Sequence, residues 1–486
     1  MDGSGIFSFG HLRLGLIAIL IAVGAGAGSL LHWHADARAE GAVLAQTQAI
    51  PPLSADDVSW LFPAPARAED FAELIAVRDL TTQDPQDPTK RDLVWPYAVF
   101  QRLLAIAASP AAQVAGTQSH VSLPAEAQSI DAWFIAGIRI DAGAPGLSND
   151  IRGQFGQSPE IRLIVQPVTR NPDGTPKVDD IAVHLIFDFT LAKPNVPAQA
   201  GCSPRPLPDL EAFNAIVADL AALRTKLSNG QLGAHKVTTS GVPLGVHPGL
   251  ADATTESNVR QEIKSFLEKH ISGQRLDAMA IAGLPAGAPA PWMFLSMVKV
   301  PPGVDPTLPN GGFDPVPGPT LDGQQFAQML EPVGTVPRVV PEPHTNNLNS
   351  ITCKNDAVPT ANLPIAERSG FSTADLFANP LSPADKTKEA LDVIADPAKS
   401  HFFNTDCVSC HTETRGTMDL LKIKDIPGID SAALPNGPWD VRNFGWSPTP
   451  KGPAQATVTR RTAAETAAVV TFINSELLAK RAALKH

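Results

Sequence analysis

The chain has 486 residues, of which 43% are hydrophobic and 18% are charged, and its formal net charge is −11. This length allows one to three domains, and the apolar content is enough for a sizeable core, which argues against a disordered protein. The acidic balance argues against a nucleic-acid partner.

The first residues of the chain, 1–39, are typical of a signal peptide or an N-terminal membrane anchor. Arg13 ends a short polar start, an apolar run covers residues 14–31, and Ala37 and Ala39 offer the small side chains that a signal peptidase reads. The run is also close to the length that spans a bilayer, whereas its glycines disfavour a buried core helix. We therefore expect a periplasmic or otherwise exported protein, with possible membrane anchoring through residues 14–31.

Residues 51–300 predict an α+β domain with a sheet rich in β-hairpins. The clearest signal is a hairpin in which residues 160–168 and 180–191 flank a turn of sequence NPDG. Residues 132–142 and 292–300 read as further strands, and the order of elements favours an α+β over a doubly wound arrangement. Two amphipathic helices are predicted, over residues 209–230 and 257–273.

Isolated polar residues in this domain do not predict a site. Asp56 and Asp57 are adjacent, and adjacent carboxylates next to a loop are expected in a solvated turn. His184 falls on the polar face of the second hairpin strand, and neither it nor His247 has a second histidine at metal-ligand spacing. Both histidines are therefore expected at the surface or satisfied by neighbours, and no catalytic cluster is indicated here.

Two cysteines and a change of composition mark the end of this domain. In an oxidising compartment Cys202 and Cys353 predict a disulfide, with two buried free thiols as the alternative. Residues 301–368 are dense in Pro and Gly and predict a linker or a strap over the surface. Residues 369–486 then form a second, smaller domain.

The stretch Cys407-Val-Ser-Cys410-His411 is typical of covalent haem attachment. In an exported protein the two thiols add across the vinyl groups of one haem c, and the histidine binds the iron as its proximal ligand. A zinc site normally needs four ligands, and the sequence has no second C-x-x-C. A thioredoxin-like redox pair would need a βαβ context, which the predicted elements lack.

The flanks of this motif resemble the monohaem cytochrome c family. Phe403 precedes Cys407 by four positions, where the family carries an aromatic residue that packs against its last helix. Gly416 falls where such proteins often turn, and Thr462 with Glu465 reads as a capping box for the last helix. The resemblance implies an all-α, cytochrome c-like fold for the C-terminal domain, while the larger domain resembles no family that we recognise.

The sequence departs from that family on the distal side of the haem. The family takes a methionine from the loop before the last helix, but residues 440–462 contain neither Met nor His. Met418 or His401 is then a candidate distal ligand of the iron, and a distal face with water or nothing is another possibility. Further candidates are Lys451, Met293, Met297, His184 and His247.

The segment VRNFGW, residues 441–446, is expected to line the haem. Aromatic side chains suit the edge of the macrocycle, and Arg442 with Trp439 is positioned to bond a propionate. The alternative is a packed loop that turns at Gly445. The residues expected to pack against the haem are Phe403, Arg442, Phe444 and Trp446.

Ligation of the iron decides the class of function. A closed six-coordinate haem transfers electrons, whereas an open one binds oxygen, nitric oxide or peroxide. We expect an exported monohaem c-type cytochrome that transfers electrons, with the N-terminal domain docking it onto a redox partner protein or holding it in a complex. The alternatives are a haem enzyme or a gas or redox sensor with an open or weakly ligated distal face, and a binding protein in which the haem is accessory.

Overall fold

The structure is a computed structural model. It describes residues 52–84, 89–108, 123–144, 157–191, 207–283, 293–300, 312–315, 330–333, 336–339, 384–400, 407–436, 442–449 and 452–478, and residues 87, 146, 147, 152, 376 and 380.

Several sequence-based predictions fall outside these residues. They concern the N-terminal segment 1–39, most of the linker 301–368, and Cys202, Cys353, His401, Phe403, Trp439 and Lys451. The expected disulfide and the expected signal or anchor therefore stay predictions. Among the helices that the structure does describe, none has both the length and the apolar character needed to cross a bilayer.

The described strands are short at both ends of the chain and long in between. They are β1 (Ser59–Leu61), β2 (Thr81–Gln83), β3 (Arg91–Leu93), β4 (Trp133–Ala144), β5 (Ser158–Arg170), β6 (Pro176–Val178), β7 (Ile181–Asp188), β8 (Thr190–Leu191), β9 (Leu207–Pro208), β10 (Leu276–Gly283), β11 (Met293–Val300), β12 (Gly312–Pro315), β13 (Leu330–Val333), β14 (Val336–Val339), β15 (Phe444–Ser447) and β16 (Gln455–Val458).

The described α-helices flank these strands. They are α1 (Ala55–Val58), α2 (Tyr97–Ala107), α3 (Leu210–Ser228), α4 (Pro248–Ala251), α5 (Glu256–His270), α6 (Ala384–Ala395), α7 (Cys407–Leu421) and α8 (Arg460–Phe472), which continues as a π-helix over Ile473–Leu478. Short 3-10 helices cover Ala68–Glu73, Val77–Asp79, Ala125–Gln128, Ile130–Ala132 and Ser431–Ala433.

One antiparallel sheet organises the described part of the chain, with strand order β1-β4-β5-β7-β10-β11-β12 and with β6 paired to β5. The predicted hairpin is confirmed, because β5 and β7 pair antiparallel, with Val165 opposite Val183 and Glu160 opposite Asp188. The predicted helix after it is confirmed as α3, whose first turn is capped by Asp209. The second predicted helix begins slightly earlier than expected, at Glu256.

The two faces of the sheet have different partners. On one face Trp60 of β1 packs edge-on against Phe266 of α5, with ring centroids 5.2 Å apart. We call this side the helical face. On the other face Ser59 of β1 hydrogen-bonds Thr466 of α8 at 2.9 Å. We call this side the C-terminal face; strand register and contacts assign to it Gly137, Arg139, Arg162, Ile164, Gln166 and His184.

A single hydrophobic cluster extends from Leu53 to Ile473, so apolar residues of the C-terminal segment pack into the same core as the sheet. This segment is not all-α as expected, because β15 and β16 form an antiparallel hairpin in it, with Phe444 opposite Val458. Long-range contacts to the sheet stabilise this hairpin, since a two-stranded hairpin is marginal by itself. Each strand has only four residues, which is too few to show a pattern in the sequence.

Two local predictions in the C-terminal segment are wrong. Gly416 does not turn the chain but lies inside α7. The expected capping box is replaced by Thr459, whose side chain accepts a hydrogen bond from the backbone N–H of Thr462, so α8 begins at Arg460. Glu465 is drawn into ion pairs instead of a cap, because arginines from two elements surround it.

The adjacent carboxylates of α1 also differ from expectation. Asp56 is fully buried and Asp57 is 4% exposed, so neither lies in a solvated turn. Distant residues explain the burial of Asp57, since it accepts a hydrogen bond from Thr239 at 2.7 Å and lies 3.5 Å from the guanidinium of Arg224.

Candidate functional site

The cysteine–histidine motif forms the first turns of α7. Cys407 is the first residue of this helix, and Cys410 and His411 follow three and four positions later. Residues with this spacing are neighbours on one side of a helix, so positions 407, 410 and 411 share one side of α7. Cys410 and His411 are both half-buried. The thiol of Cys410 and the imidazole of His411 therefore lie on a partly protected helix surface.

Helices α6 and α8 fix the position of α7. The backbone N–H of Arg460 donates to Thr414 Oγ1 at 2.9 Å, and its guanidinium donates to Thr417 Oγ1 at 2.5 Å. The same guanidinium pairs with Asp392 of α6. Arg460 thus joins all three helices, and its contacts lie one to two turns after the motif.

Arg461 connects α8 to the motif itself. Its Nη1 donates to the carbonyl oxygen of Ser400 at 2.6 Å and to the hydroxyl of Ser400 at 2.8 Å, and that hydroxyl lies 4.0 Å from Cys410 Sγ. Burial disfavours the charged guanidinium, but the negative charges of Glu465 and Cys410 raise the pKa of Arg461 above its usual value. A guanidinium close to a cysteine favours the thiolate, which is the nucleophilic form needed for thioether formation.

Glu465 links this group to the sheet. Its carboxylate pairs with Arg461 of α8 at 2.6 Å and with Arg139 of β4 at 2.7 Å. Burial raises the pKa of Glu465, but the two guanidinium groups more than offset this and lower it to about 2. The carboxylate is therefore ionised at neutral pH and holds α8 against the C-terminal face of the sheet.

The β15–β16 hairpin docks on the same face through Trp446. The backbone N–H of Trp446 donates to Gln166 Oε1 at 2.7 Å, and Gln166 Nε2 donates to the carbonyl oxygen of Trp446 at 2.8 Å. The indole Nε1 of Trp446 donates to the carbonyl oxygen of Phe62 at 3.0 Å. Trp446 is fully buried, so its indole and its backbone both fasten the hairpin to the sheet.

Two further residues of the predicted haem-lining segment contact the sheet. The ring of Phe444 covers Gly137, where an added Cβ would meet the ring at 2.8 Å. Arg442 Nη2 pairs with Asp180 Oδ1 at 2.9 Å, just before β7. Haem contact by Phe444, Arg442 and Trp446 stays a prediction. In the structure these three residues attach the β15–β16 hairpin to the sheet.

Gly445 lies where the hairpin approaches the sheet most closely. Its φ is +137°, and an added Cβ would lie 2.6 Å from Gln166 Oε1 and 3.3 Å from Ile164 Cγ2. We expect Gly445→Ala to cost about 1–3 kcal/mol in unfolding free energy, because it adds backbone strain and displaces Gln166 from Trp446. Thermal unfolding of the purified protein measures the loss.

Gly452→Ala is the matched control for this substitution. Gly452 also has a positive φ, +109°, but the nearest atom to an added Cβ is 3.8 Å away. Strain alone would lower the melting temperature equally in both variants. A clearly larger fall for Gly445→Ala is the expected result, and equal falls would mean that the contact with Gln166 contributes nothing.

His184 projects from β7 onto the C-terminal face and is half-buried. It lies opposite Ile164 of β5 on one side and Ala280 of β10 on the other. Burial lowers the pKa of His184 well below its usual value, and the positive charges of Arg162 and His411 lower it further. His184 is therefore a neutral imidazole at neutral pH.

Other predicted distal ligands are placed differently. His247 is buried beside Trp60 of the helical face, with ring centroids 6.4 Å apart, and its Nδ1 accepts a hydrogen bond from the backbone N–H of Gly249 at 3.1 Å. Burial lowers the pKa of His247 to about 4, so it is a neutral helix cap. Met297 is buried opposite Met279, in register with the helical face.

Met418 lies on α7 itself, seven positions after His411, and packs against the hydrophobic core. Seven residues are about two helical turns, or roughly 10 Å along the axis. Because Cys407 and Cys410 precede His411, Met418 lies on the opposite side of His411 from the thiols that would hold a haem.

The residues around the motif fit a covalently held haem. Positions 407, 410 and 411 share one helix side, and the half-buried sheet surface near His184 carries the small side chains of Ala278 and Ala280. Arg139 Nε is a buried donor with no acceptor among the described residues, which suits an anionic propionate. The described residues contain no group of three or more His, Cys, Asp or Glu side chains arranged to hold a bare metal ion.

Comparisons with known proteins gave no relatives: no family model, no curated protein and no solved structure matches this chain.

Sequence reasoning singled out the motif itself but missed its surroundings. Ser400, Arg461, Glu465 and Arg139 carry no local pattern that marks them as neighbours of Cys410, because tertiary packing alone brings them together.

Proposed function

We propose that this protein is an exported monohaem c-type cytochrome that transfers electrons. The observation that carries the proposal is the placement of positions 407, 410 and 411 on one side of the first turns of α7, where Cys410 and His411 are half-buried and the hydroxyl of Ser400 joins Cys410 to Arg461. A bound haem would supply one reversible electron at its iron.

The roles of the protein groups follow from their positions. Cys407 and Cys410 would hold the haem covalently, and His411 would bind the iron. Arg461 favours the thiolate of Cys410 and orders the chain at Ser400. Arg139 offers a cation to a propionate. The sheet would provide the surface that docks onto a redox partner or holds the haem segment in a complex.

Covalent attachment is tested by cysteine substitution. Wild type, Cys407→Ala, Cys410→Ala and the double variant would be expressed with a c-type haem maturation system. We expect haem stain on a denaturing gel and the mass of bound haem in wild type, reduced stain in each single variant and no stain in the double variant.

Ser409→Ala is the matched control, because Ser409 lies between the two cysteines and takes no part in thioether formation. This variant should stain like wild type. Absence of covalent haem from the wild-type protein would refute the proposal, and so would undiminished staining of the double variant.

A further inference from the structure

We propose that His184, on strand β7 of the sheet, is the second axial ligand of the iron that His411 binds. This inference rests on the proposed function and adds a residue from a different part of the chain. It makes the site a haem held between two histidines, one on α7 and one on the sheet.

The first argument is the position of His184 on the sheet. It is paired with Ile164, and Ile164 Cγ2 lies 3.3 Å from the place of a Cβ on Gly445. Neighbours in register point to the same side of a sheet. His184 therefore faces the side on which the C-terminal segment lies.

The second argument is a continuous series of contacts from this face to the motif. Arg139, on the same face, pairs with Glu465 at 2.7 Å, and Glu465 pairs with Arg461 at 2.6 Å. Arg461 donates to Ser400, whose hydroxyl lies 4.0 Å from Cys410 Sγ. The motif is thus linked by direct contacts to the face of the sheet that carries His184.

The third argument is the surface around His184. On the helical face, Val183, Leu185 and Phe187 of the same strand are fully buried. On the C-terminal face, His184 and Ile186 of the same central strand are only half-buried. An antiparallel sheet commonly has one face packed on the core and the other exposed to water. The surface around His184 lies between these two cases. A partly covered face with a histidine in it suits a flat, mainly apolar group such as a porphyrin.

The remaining candidates in the larger domain do not share this position. Met297 and His247 belong to the helical face, and His247 already caps α4 with its Nδ1. Met418 lies along α7, away from the two thiols. Among the candidate side chains of the sheet that the structure describes, His184 is the one on the C-terminal face.

Two histidine ligands have a chemical consequence. They close both faces of the iron, so the reduced protein should be low-spin and should not bind carbon monoxide, and its potential should be lower than with methionine. The site would then be an electron carrier and not a gas sensor or an oxidant-consuming enzyme.

The test compares optical, electron paramagnetic resonance and near-infrared magnetic circular dichroism spectra of four proteins that carry covalent haem. These are wild type, His184→Ala, His235→Ala and Met418→Leu. His235 is an exposed histidine that pairs with Asp252, so it controls for loss of a histidine elsewhere. We expect a bis-histidine signature in wild type, in His235→Ala and in Met418→Leu.

His184→Ala should keep its covalent haem but become high-spin when reduced and bind carbon monoxide, and added imidazole should restore the low-spin spectrum. A wild-type spectrum with a methionine-to-iron band or a high-spin iron overturns the inference without any variant. An unchanged low-spin spectrum in His184→Ala also overturns it. Both results leave covalent haem in place, whereas failure of the proposed function would show as no covalent haem in wild type.

Discussion

Glu465→Gln should lower the free energy of unfolding by about 3–5 kcal/mol, because it removes the one carboxylate that two buried guanidinium groups share. The side chains of Arg139, Arg461 and Glu465 are 11%, 6% and 26% exposed, so water replaces only a small part of the lost charge. Glutamine keeps the size of the side chain, and the loss therefore reports the charge and not a cavity.

The pH dependence gives the sign of this effect. The pKa of Glu465 is about 2 in the folded protein and 4.5 when unperturbed, so the ion pairs contribute their full stability above pH 4.5. Their contribution disappears as the pH falls from 4.5 to about 2. The pKa difference corresponds to roughly 3 kcal/mol, in agreement with the loss expected from breaking a buried pair.

Thermal and denaturant unfolding of wild type and Glu465→Gln between pH 3 and pH 7 measures this effect. The control is Glu262→Gln, which breaks a half-exposed pair with Lys226 at 2.7 Å and should cost about 1 kcal/mol or less. A loss in Glu465→Gln that is no greater than in the control would contradict the buried-network interpretation. So would a loss that does not shrink in acid.

The elements that could be predicted from the sequence are those whose own pattern determines them. In β7, Val183, Leu185 and Phe187 alternate with half-buried residues, and the structure confirms the strand and its pairing with β5. In α3, the predicted apolar stripe is buried as expected from Phe213 to Leu223, whereas Leu210 at its start is exposed. Long segments with a clear period leave few alternatives.

The elements that could not be predicted depend on partners far away in sequence. Gln166 stabilises β15 although it is 280 residues away in the sequence, and no residue near Trp446 indicates that Gln166 is its partner. Thr462 and Glu465 had the spacing of a capping box, but Arg139 of β4 competes for the carboxylate. In both cases a tertiary contact prevails over a local preference worth about 1 kcal/mol.

The candidate site follows the same division. The thiols and the proximal histidine could be read directly, because thioether chemistry requires a fixed spacing in the sequence. From the sequence, His184 could only be one of several candidate distal ligands. The surroundings of His184 depend on the register of the strands and on the docking of the β15–β16 hairpin, which the sequence does not show. The alternation of β7 did predict that His184 lies on the other face of the strand from Val183 and Leu185. The structure adds which elements pack on that face.

Asp56→Asn should stabilise the protein, and the gain should grow as the pH rises. Asp56 is fully buried, and neither of its carboxylate oxygens accepts a hydrogen bond from another described residue. Burial, with the neighbouring Asp57 adding to it, raises the pKa of Asp56 from 3.8 to about 8. The folded protein therefore keeps this carboxyl protonated at neutral pH, whereas the unfolded chain ionises it.

The sign follows from proton binding. Between pH 3.8 and about pH 8 the folded state holds a proton that the unfolded state has lost, so rising pH favours unfolding. A pKa difference of about 4 corresponds to roughly 5 kcal/mol across this range, as an upper value. Asparagine cannot ionise, so Asp56→Asn should remove this slope and match wild type near pH 4.

Melting temperatures of both proteins at intervals from pH 4 to pH 9 test this expectation, with Asp425→Asn as the control at an exposed aspartate. The difference between Asp56→Asn and wild type should widen up to about pH 8 and then stay constant, because the folded wild type also ionises above its pKa. Parallel curves at all pH values would contradict a protonated Asp56. A variant that is less stable than wild type at pH 8 would show that the carboxylate is ionised and satisfied.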